Sequence, residues 1–476
     1  MNLKPNIPET MIPGTYIAYN FNAGPNGLPA NIQKLLLIGD ISSSGTLAVD
    51  TPTPVYTEND ADTLCGQGSV LHQMYKAAKK AYKYAQITLL RHAAPTGGAA
   101  TVWPFTVTGS ATDSGSVQIS WNGGSTAVAV AKSATSETVA NAIKAAINNE
   151  PNAPFTASVT ETSESEGDDE YTVTLTAKCK GAYIDAAISI SMQCSASGIA
   201  LEASTKTAGT GTVDVEDALA AAFPERFHLI VLSVSDPTNL GYLKTHLENA
   251  AGPLENRGQR GITAMVANDV TSAITAAGKN YERICLAAVK TAIDTTPWEI
   301  AAGIGARFAA NNQPNIPMNG AAITGLPVPA TENKWTGEEQ DALLYGGVIP
   351  LVEIDGELCM VRAVTTRSTQ NGVRFTKLID TGVIATLDYF RDAIRSMHKT
   401  KYNNAVIHSK LLDALNEDNI AIAKQLEDIQ LLRNVDDYVD SFITQESDET
   451  GRVLCQIPAP VVPGLNQIYS TIDLYL

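Results

Sequence analysis

The chain has 476 residues, more than one hydrophobic core usually organises, so two to four domains are expected. With 44% hydrophobic and 17% charged residues it is globular material, which excludes an intrinsically disordered tail. A formal net charge of -17 argues against phosphate backbones and anionic membranes as direct partners, so neither nucleic-acid nor membrane binding is expected.

Residues 1–30 are rich in Pro, Gly and Asn, and within them residues 11–21 (MIPGTYIAYNF) read as one extended stretch with no helix or core of its own. The opening MNLKPNIPETMIPG has no apolar h-region, so no secretory leader is expected. Residues 31–100 alternate strand, helix, strand. Lys34–Gly39 (KLLLIG) is a buried strand, with an aliphatic run too short to span a bilayer. A helix is expected within 60–84, carrying Leu64, Val70, Leu71, Met74 and Tyr75, and a second buried strand at 86–90 (QITLL). This is the grammar of a βαβ unit on a parallel sheet.

The texture changes between 101 and 212, where Ser, Thr, Gly and Ala dominate and apolar residues alternate. Strands are expected at 102–108, 116–121, 127–131, 171–177 and 187–192, with a hairpin turn at Asn122-Gly123-Gly124. One helix interrupts them, Ser136–Asn148, with Ser136 as its cap and Val139, Ala142, Ile143, Ala146 and Ile147 on one face. The acidic cluster Glu161, Glu164, Glu166, Asp168, Asp169 and Glu170 lacks the ordered ligand spacing of a calcium loop and reads as a solvated loop.

From 213 the α/β alternation resumes, with strands at 228–234, 261–267 and 283–289. Helices follow at 237–250 and 269–277, and at Pro297–Ala309 with proline in the first turn. Beyond 331 the grammar differs. A helix at 337–344 precedes a hairpin over 349–362 that turns at Asp355-Gly356, then a strand near 374–378 and helices at 385–398 and 409–432. A second hairpin joins 442–445 to 453–457, and the connector PAPVVPG leads to a final strand at 467–476 (QIYSTIDLYL). The chain thus reads as an α/β and α+β multidomain protein. It has an N-terminal arm (1–30), a discontinuous α/β core (31–100 and 213–330), an inserted small α+β domain (101–212), a C-terminal α+β domain (331–465) and a C-terminal arm strand (466–476).

No catalytic constellation stands out. The histidines never fall at metal-ligand spacing, and HExxH, GxSxG and a Walker-type loop are absent. Gly303-Ile304-Gly305 has Phe308 where a dinucleotide loop needs glycine and sits inside a helical segment, so close helix packing accounts for it better. The six cysteines are scattered without CxxC spacing, as expected of isolated thiols in a reducing compartment. No cofactor, metal or catalytic residue is assigned.

The two ends carry the positive signal. Ile468, Ile472, Leu474 and Leu476 line one face of the last strand, and Tyr469, Thr471, Asp473 and Tyr475 the other, beyond a proline-stiffened connector. The first arm has the same character around Ile12, Tyr16 and Tyr19. A lone strand is unstable in water, so each must join a sheet edge, either its own or a neighbour's.

Ile12-Pro13-Gly14-x-Tyr16, the Leu35–Gly39 run, Leu344-Tyr345-Gly346-Gly347-Val348 before Pro350-Leu351, residues 361–366 (VRAVTT) and the ending QIYSTIDL occur in order along the whole chain. Together they are similar to the Mu-like family of contractile tail sheath proteins, and GSATDSGSVQISWNGGSTAVAV resembles that family's insertion domain. The resemblance implies a non-enzymatic virion protein assembled in the host cytoplasm. It implies a homo-oligomer of hexameric rings stacked helically around a tail tube protein, bounded by baseplate and tail terminator proteins. N- and C-terminal arms would complete an intersubunit sheet with a hairpin of the C-terminal sheath domain. That domain would lie innermost, and the basic end of the helix around Arg391, Arg395 and Lys399 is a possible tube contact, although cations also favour a helix C-terminus through the dipole. The competing readings are the sheath of a bacteriocin or secretion-type injection system, and an α/β enzyme of unknown chemistry suggested by the resumed parallel-sheet pattern.

Overall fold

The computed structural model describes residues 28–29, 31–163, 170–291, 294–311, 313–330 and 333–475. By internal packing the chain divides into a large unit, Ile32–Ala385 with Pro463–Leu476, and a small one containing Thr386–Val462 and the N-terminal residues through Asn31.

The large unit is built on a sheet whose strands are almost entirely apolar. β1 (Lys34–Gly39) begins it, followed by the short β2 (Thr53–Val55), α1 (Glu58–Cys65), α2 (Val70–Ala81) and β3 (Gln86–Arg91). One helix was expected between β1 and β3. Two form, because Gly66 and Gly68 adopt positive φ (72° and 78°) and Ser69 restarts the helix by capping the His72 amide. After the insertion come α5 (Glu216–Ala222), β11 (Leu229–Leu232), α6 (Pro237–Ala251), β12 (Arg260–Ala267), α7 (Val270–Ala276), β13 (Ile284–Lys290) and α8 (Pro297–Ala309). β14 (Ala321–Ala322), α9 (Gly337–Tyr345), β15 (Val348–Ile354) and β16 (Glu357–Met360) complete it. The strand order is β14-β16-β15-β13-β12-β11-β1-β3-β2, parallel from β15 to β3 and antiparallel at both edges.

Leu35 and Leu37 face α2 and α8, whereas Leu36 and Ile38 face α5 and α6, so both surfaces of the sheet are covered. α8 lies close because it carries glycine where it meets the sheet. A Cβ on Gly305 would stand 2.6 Å from Val231 and 3.0 Å from Leu35. The β15–β16 hairpin turns through Asp355 and Gly356 (φ 52° and 81°), as its sequence anticipates. It does not belong to a separate domain starting at 331, however. Leu286 pairs with Val348 and Ala287 with Ile349, which makes the hairpin the continuation of the core sheet.

The insertion supplies β4 (Val102–Gly109), β5 (Gly115–Trp121), β6 (Gly124–Val130), α3 (Ser136–Asn148), β7 (Phe155–Ser163), β8 (Glu170–Ala177), α4 (Ala182–Ala187), β9 (Ile190–Cys194) and β10 (Ile199–Ala203). They form a four-stranded sheet (β10-β4-β8-β7) and a three-stranded one (β6-β5-β9). Trp103 and Trp121 both meet Phe155 edge-on, at 6.3 and 5.4 Å between ring centres. The cap of α3 is Thr135, whose hydroxyl accepts from the Thr138 amide; Ser136 is the first helical residue and is buried. The expected strand at 187–192 starts three residues late, since buried Ile184 draws residues 182–187 into α4 and pairing with β5 starts only at Ile190. Glu164, Glu166, Asp168 and Asp169 lie outside the described residues.

Beyond β16, a two-residue hairpin joins β17 (Thr369–Gln370) and β18 (Val373–Arg374) across Asn371-Gly372, so the expected strand at 374–378 is reduced to its first residue. α10 (Thr381–Lys401) then runs into the small unit, where α11 (Ser409–Asp428), a 3-10 turn (Val435–Ser441), β19 (Ile443–Glu446) and β20 (Val453–Gln456) follow. Phe390, Ala393 and Met397 of α10 meet Ile422, Ala423 and Leu426 of α11 over Leu431, Val435 and Phe442. Tyr389 donates its hydroxyl hydrogen to the Pro29 carbonyl at 2.9 Å, which ties Pro29 to this unit.

Candidate assembly surfaces

The last described residues have a root and a free portion. Asp380 receives a bidentate pair from Arg362, Nε to Oδ1 at 2.8 Å and Nη2 to Oδ2 at 2.9 Å. Asn466 Nδ2 donates to the same Oδ2 at 3.1 Å, and Asn319 Nδ2 donates to Asn466 Oδ1 at 2.9 Å and to the Leu465 carbonyl at 3.2 Å. Gly464 lies against Pro317, where a Cβ would come within 3.0 Å. Four polar side chains thus clasp the chain at Asn466. No sequence motif announces this, because its members are separated by up to 147 residues.

Past Asn466 the character reverses. Among the described residues no backbone hydrogen bond involves 467–475, and the one side-chain bond is internal, from the Tyr469 hydroxyl to Gln467 Oε1. Ile468 is 76% exposed, Tyr469 88%, Ile472 94% and Leu474 81%. The strand expected here forms no ladder, since a strand exists only by pairing. Leu476 and the N-terminal arm residues Ile12, Tyr16 and Tyr19 lie outside the described residues.

The small unit carries a second open surface. β19 and β20 pair only with each other, Ile443 with Gln456 through Glu446 with Val453, leaving both ribbon edges without a ladder among the described residues. Asn416 of α11 holds the ribbon's base, donating to the Phe442 carbonyl at 3.1 Å and accepting from the Thr444 hydroxyl at 3.0 Å. Ile443 and Leu454 are about half exposed. A two-stranded ribbon with apolar side chains and free edges is an acceptor for added strands.

On α10, Arg391, Arg395 and Lys399 follow at intervals of four and share one stripe. They differ in environment. Arg391 is half-buried and paired with Asp388 at 3.1 Å, whereas Arg395 and Lys399 are exposed with no ion pair among the described residues.

Burial pushes the Cys65 and Cys285 thiols up to about 12, which keeps them protonated and unreactive. His72, His92 and His246 are held below their ordinary range, chiefly by burial. No group of three or more His, Cys, Asp or Glu among the described residues could hold a metal ion, and no described helix is long and apolar enough to cross a membrane. Gly303 and Gly305 serve packing against Ile323 and Val231.

Comparison with known proteins gives concordant matches. The phage tail sheath protein central domain matches residues 208–366, and the phage tail sheath C-terminal domain matches residues 377–474. The Mu-like prophage FluMu tail sheath protein of Haemophilus influenzae is 26% identical over 410 residues, 83% of this chain and 81% of that protein. Among solved structures, the sheath tail protein of Desulfitobacterium hafniense superposes with a TM-score of 0.50 at 15% identity, over 91% of this chain and 93% of that one, and shares the fold. The sheath tail protein of Listeria innocua gives 0.47 at 15% identity over 90% and 94%.

Proposed function

Because this chain belongs to the phage tail sheath proteins, we propose that it polymerises as hexameric rings stacked helically around a tail tube and shortens to drive that tube through the bacterial envelope for genome ejection. The observation that carries this reading is the segment 467–475, apolar, exposed and unpaired beyond a clasped root, on a molecule that also presents a ribbon with free edges. One subunit's arm adds to another's β19–β20 ribbon; the contact is head-to-tail, which builds rings or open helices. The N-terminal arm around Ile12, Tyr16 and Tyr19 joins the same intersubunit sheet. Hydrogen-bonded arms then act as links while the bodies move as rigid units.

In this reading the C-terminal domain faces the tube, with Arg391, Arg395 and Lys399 as its salt-sensitive contact, and residues 101–212 face outward. Tube, baseplate and terminator proteins are the partners, and the sheath belongs to the virion after assembly in the host cytoplasm. Stored free energy lies in body–body surface better buried after contraction. At about 25 cal/mol per Å² of apolar area, a few hundred Å² per subunit supply several kcal/mol without a nucleotide. A bacteriocin or secretion-type sheath would use the same contacts; finding capsid and terminase genes beside this one would favour the virion, and finding none would favour the other reading. Electron microscopy of the purified protein tests the proposal: long hollow cylinders are expected, and dispersed monomers at high concentration would refute it.

A further inference from the structure

Outside the C-terminal segment, the most exposed large hydrophobic side chain described in the large unit is Leu254, at 94%. It stands at the tip of the turn between α6 and β12, and that turn is firmly held. The Asn256 amide donates to the Gly252 carbonyl and the Arg257 amide to the Ala250 carbonyl, both at 2.8 Å. The Asn256 side chain donates back to the Pro253 carbonyl, and the Arg257 guanidinium lies 4.6 Å from the Phe223 ring centre. Asn256 takes the left-handed conformation (φ 53°) that asparagine tolerates in such reversals. A leucine held out by a fixed turn loses little backbone freedom when it is buried by a partner.

The opposite edge of the same sheet carries a hollow. Where β11 and β12 end, α4 and residues 211–213 of the insertion lie over them and leave a cavity of about 510 Å³. Val213, Ala264, Met265 and Trp298 line it, with exposed Ala186 and Pro237 among its lining residues. Its one charged lining residue among those described, Asp236, caps the amides of Thr238 and Asn239. A dry cavity of about 150 Å³ already holds benzene, so a leucine with the proline before it fits here.

We propose that Leu254 of one copy seats in this hollow of the next. β12 runs eight residues between the two features, roughly 26 Å at about 3.3 Å per residue. Copies stacked along the strand direction therefore bring knob to hollow, a head-to-tail contact that repeats along a stack. The area decides when it forms. Two residues seated in a hollow bury a few hundred Å², against roughly 1,200–2,000 Å² in a stable complex, and one leucine changes an association constant about ten- to hundredfold. The contact is too small to hold free copies together. It forms between copies already linked by their arms, so the inference rests on the assembly proposed above.

The test uses the full chain with its exposed Cys455 replaced by Ser. Leu254→Cys copies are mixed with Ala186→Cys copies, polymerised, treated with a short bismaleimide and analysed by peptide mapping. A link from position 254 of one copy to position 186 of another is expected in the mixed cylinders, and none in the same chains cut after Asn466. Leu254→Asp should raise the critical concentration for polymerisation about tenfold with an unchanged circular dichroism spectrum. Leu254→Met, which keeps an apolar side chain of similar size, should leave it nearly unchanged. Cylinders without that link, a link formed equally in the cut chains, or a critical concentration indifferent to Leu254→Asp would each overturn the inference while leaving the assembly proposal standing. A parent chain that forms no cylinders overturns both.

Discussion

Cutting the chain after Asn466 should separate folding from assembly. Among the described residues, 467–475 make no hydrogen bond to the rest of the chain, and their apolar side chains are at least 76% exposed. Their loss should therefore change unfolding free energy by no more than about 0.5 kcal/mol, the range of surface changes that touch nothing. Cutting four residues earlier, after Val462, also removes the bond from Asn466 to Asp380 and both bonds from Asn319. A hydrogen bond to a charged group contributes roughly 1.5–3 kcal/mol and a neutral one about 1. These atoms are partly exposed, so solvent screening brings the expected total to about 1–2 kcal/mol. Urea denaturation followed by tryptophan fluorescence measures both truncations, and sedimentation with electron microscopy measures polymer. The shorter cut should match the full chain in the first assay and yield no cylinders in the second. Polymers at normal yield, or a loss of stability comparable to that of the longer cut, would refute the reasoning.

Gly305→Ala should destabilise the large unit by about 1–2 kcal/mol in urea despite alanine's better helix propensity, because the new methyl meets Val231 at 2.6 Å; a stabilised variant would mean α8 does not approach the sheet this closely. Reversing Arg395 and Lys399 to Glu should leave the monomer folded and lower the yield of extended sheath on purified tubes. Arg391→Glu is the less clean probe, since it also breaks the pair with Asp388, and unchanged yield and salt sensitivity for the double variant would remove this stripe as the tube contact. Stability should fall as pH drops below about 6.5. His72, His92 and His246 have folded pKa values below the unfolded one, so the unfolded chain binds more protons there and acidification favours it. His92→Gln should flatten that slope, and an unchanged slope would clear His92. Residues 101–212 expressed alone should give dispersed amide resonances, whereas a collapsed spectrum would deny the insertion a core of its own.

The core was legible wherever one physical signal dominated. Continuous aliphatic runs marked β1, β3, β12 and β13, and α8 was announced by Pro297 in its first turn. β7 was not, because FTASVTETS alternates small and polar residues and becomes a strand only through β8. The β15–β16 hairpin was legible as a hairpin but not as part of the core, since its register with Leu286 depends on a segment some sixty residues away. At the assembly surfaces, the arm betrayed itself by apolar alternation after prolines. The clasp could not: Asn319, Arg362, Asp380 and Asn466 are ordinary surface residue types until the fold places them together.

That clasp also determines how tension travels. Asp380 stands immediately before α10 and Asn466 comes just after the chain has traversed Thr386–Val462, so their bond joins points 86 residues apart and closes the intervening chain into a loop pinched at its neck. A pull on the segment beyond Asn466 first loads Asp380, then the Arg362 guanidinium, which follows directly on the core hairpin β15–β16. While the neck holds, the load bypasses α11 and the β19–β20 ribbon, which stay unstretched. If it opens first, the same pull runs through the loop itself and peels Val462 and Val461 from their bonds to Leu431 and Leu432. Asp380 is thus the fuse that sets how much traction one molecule can pass to the next before its own chain begins to unravel.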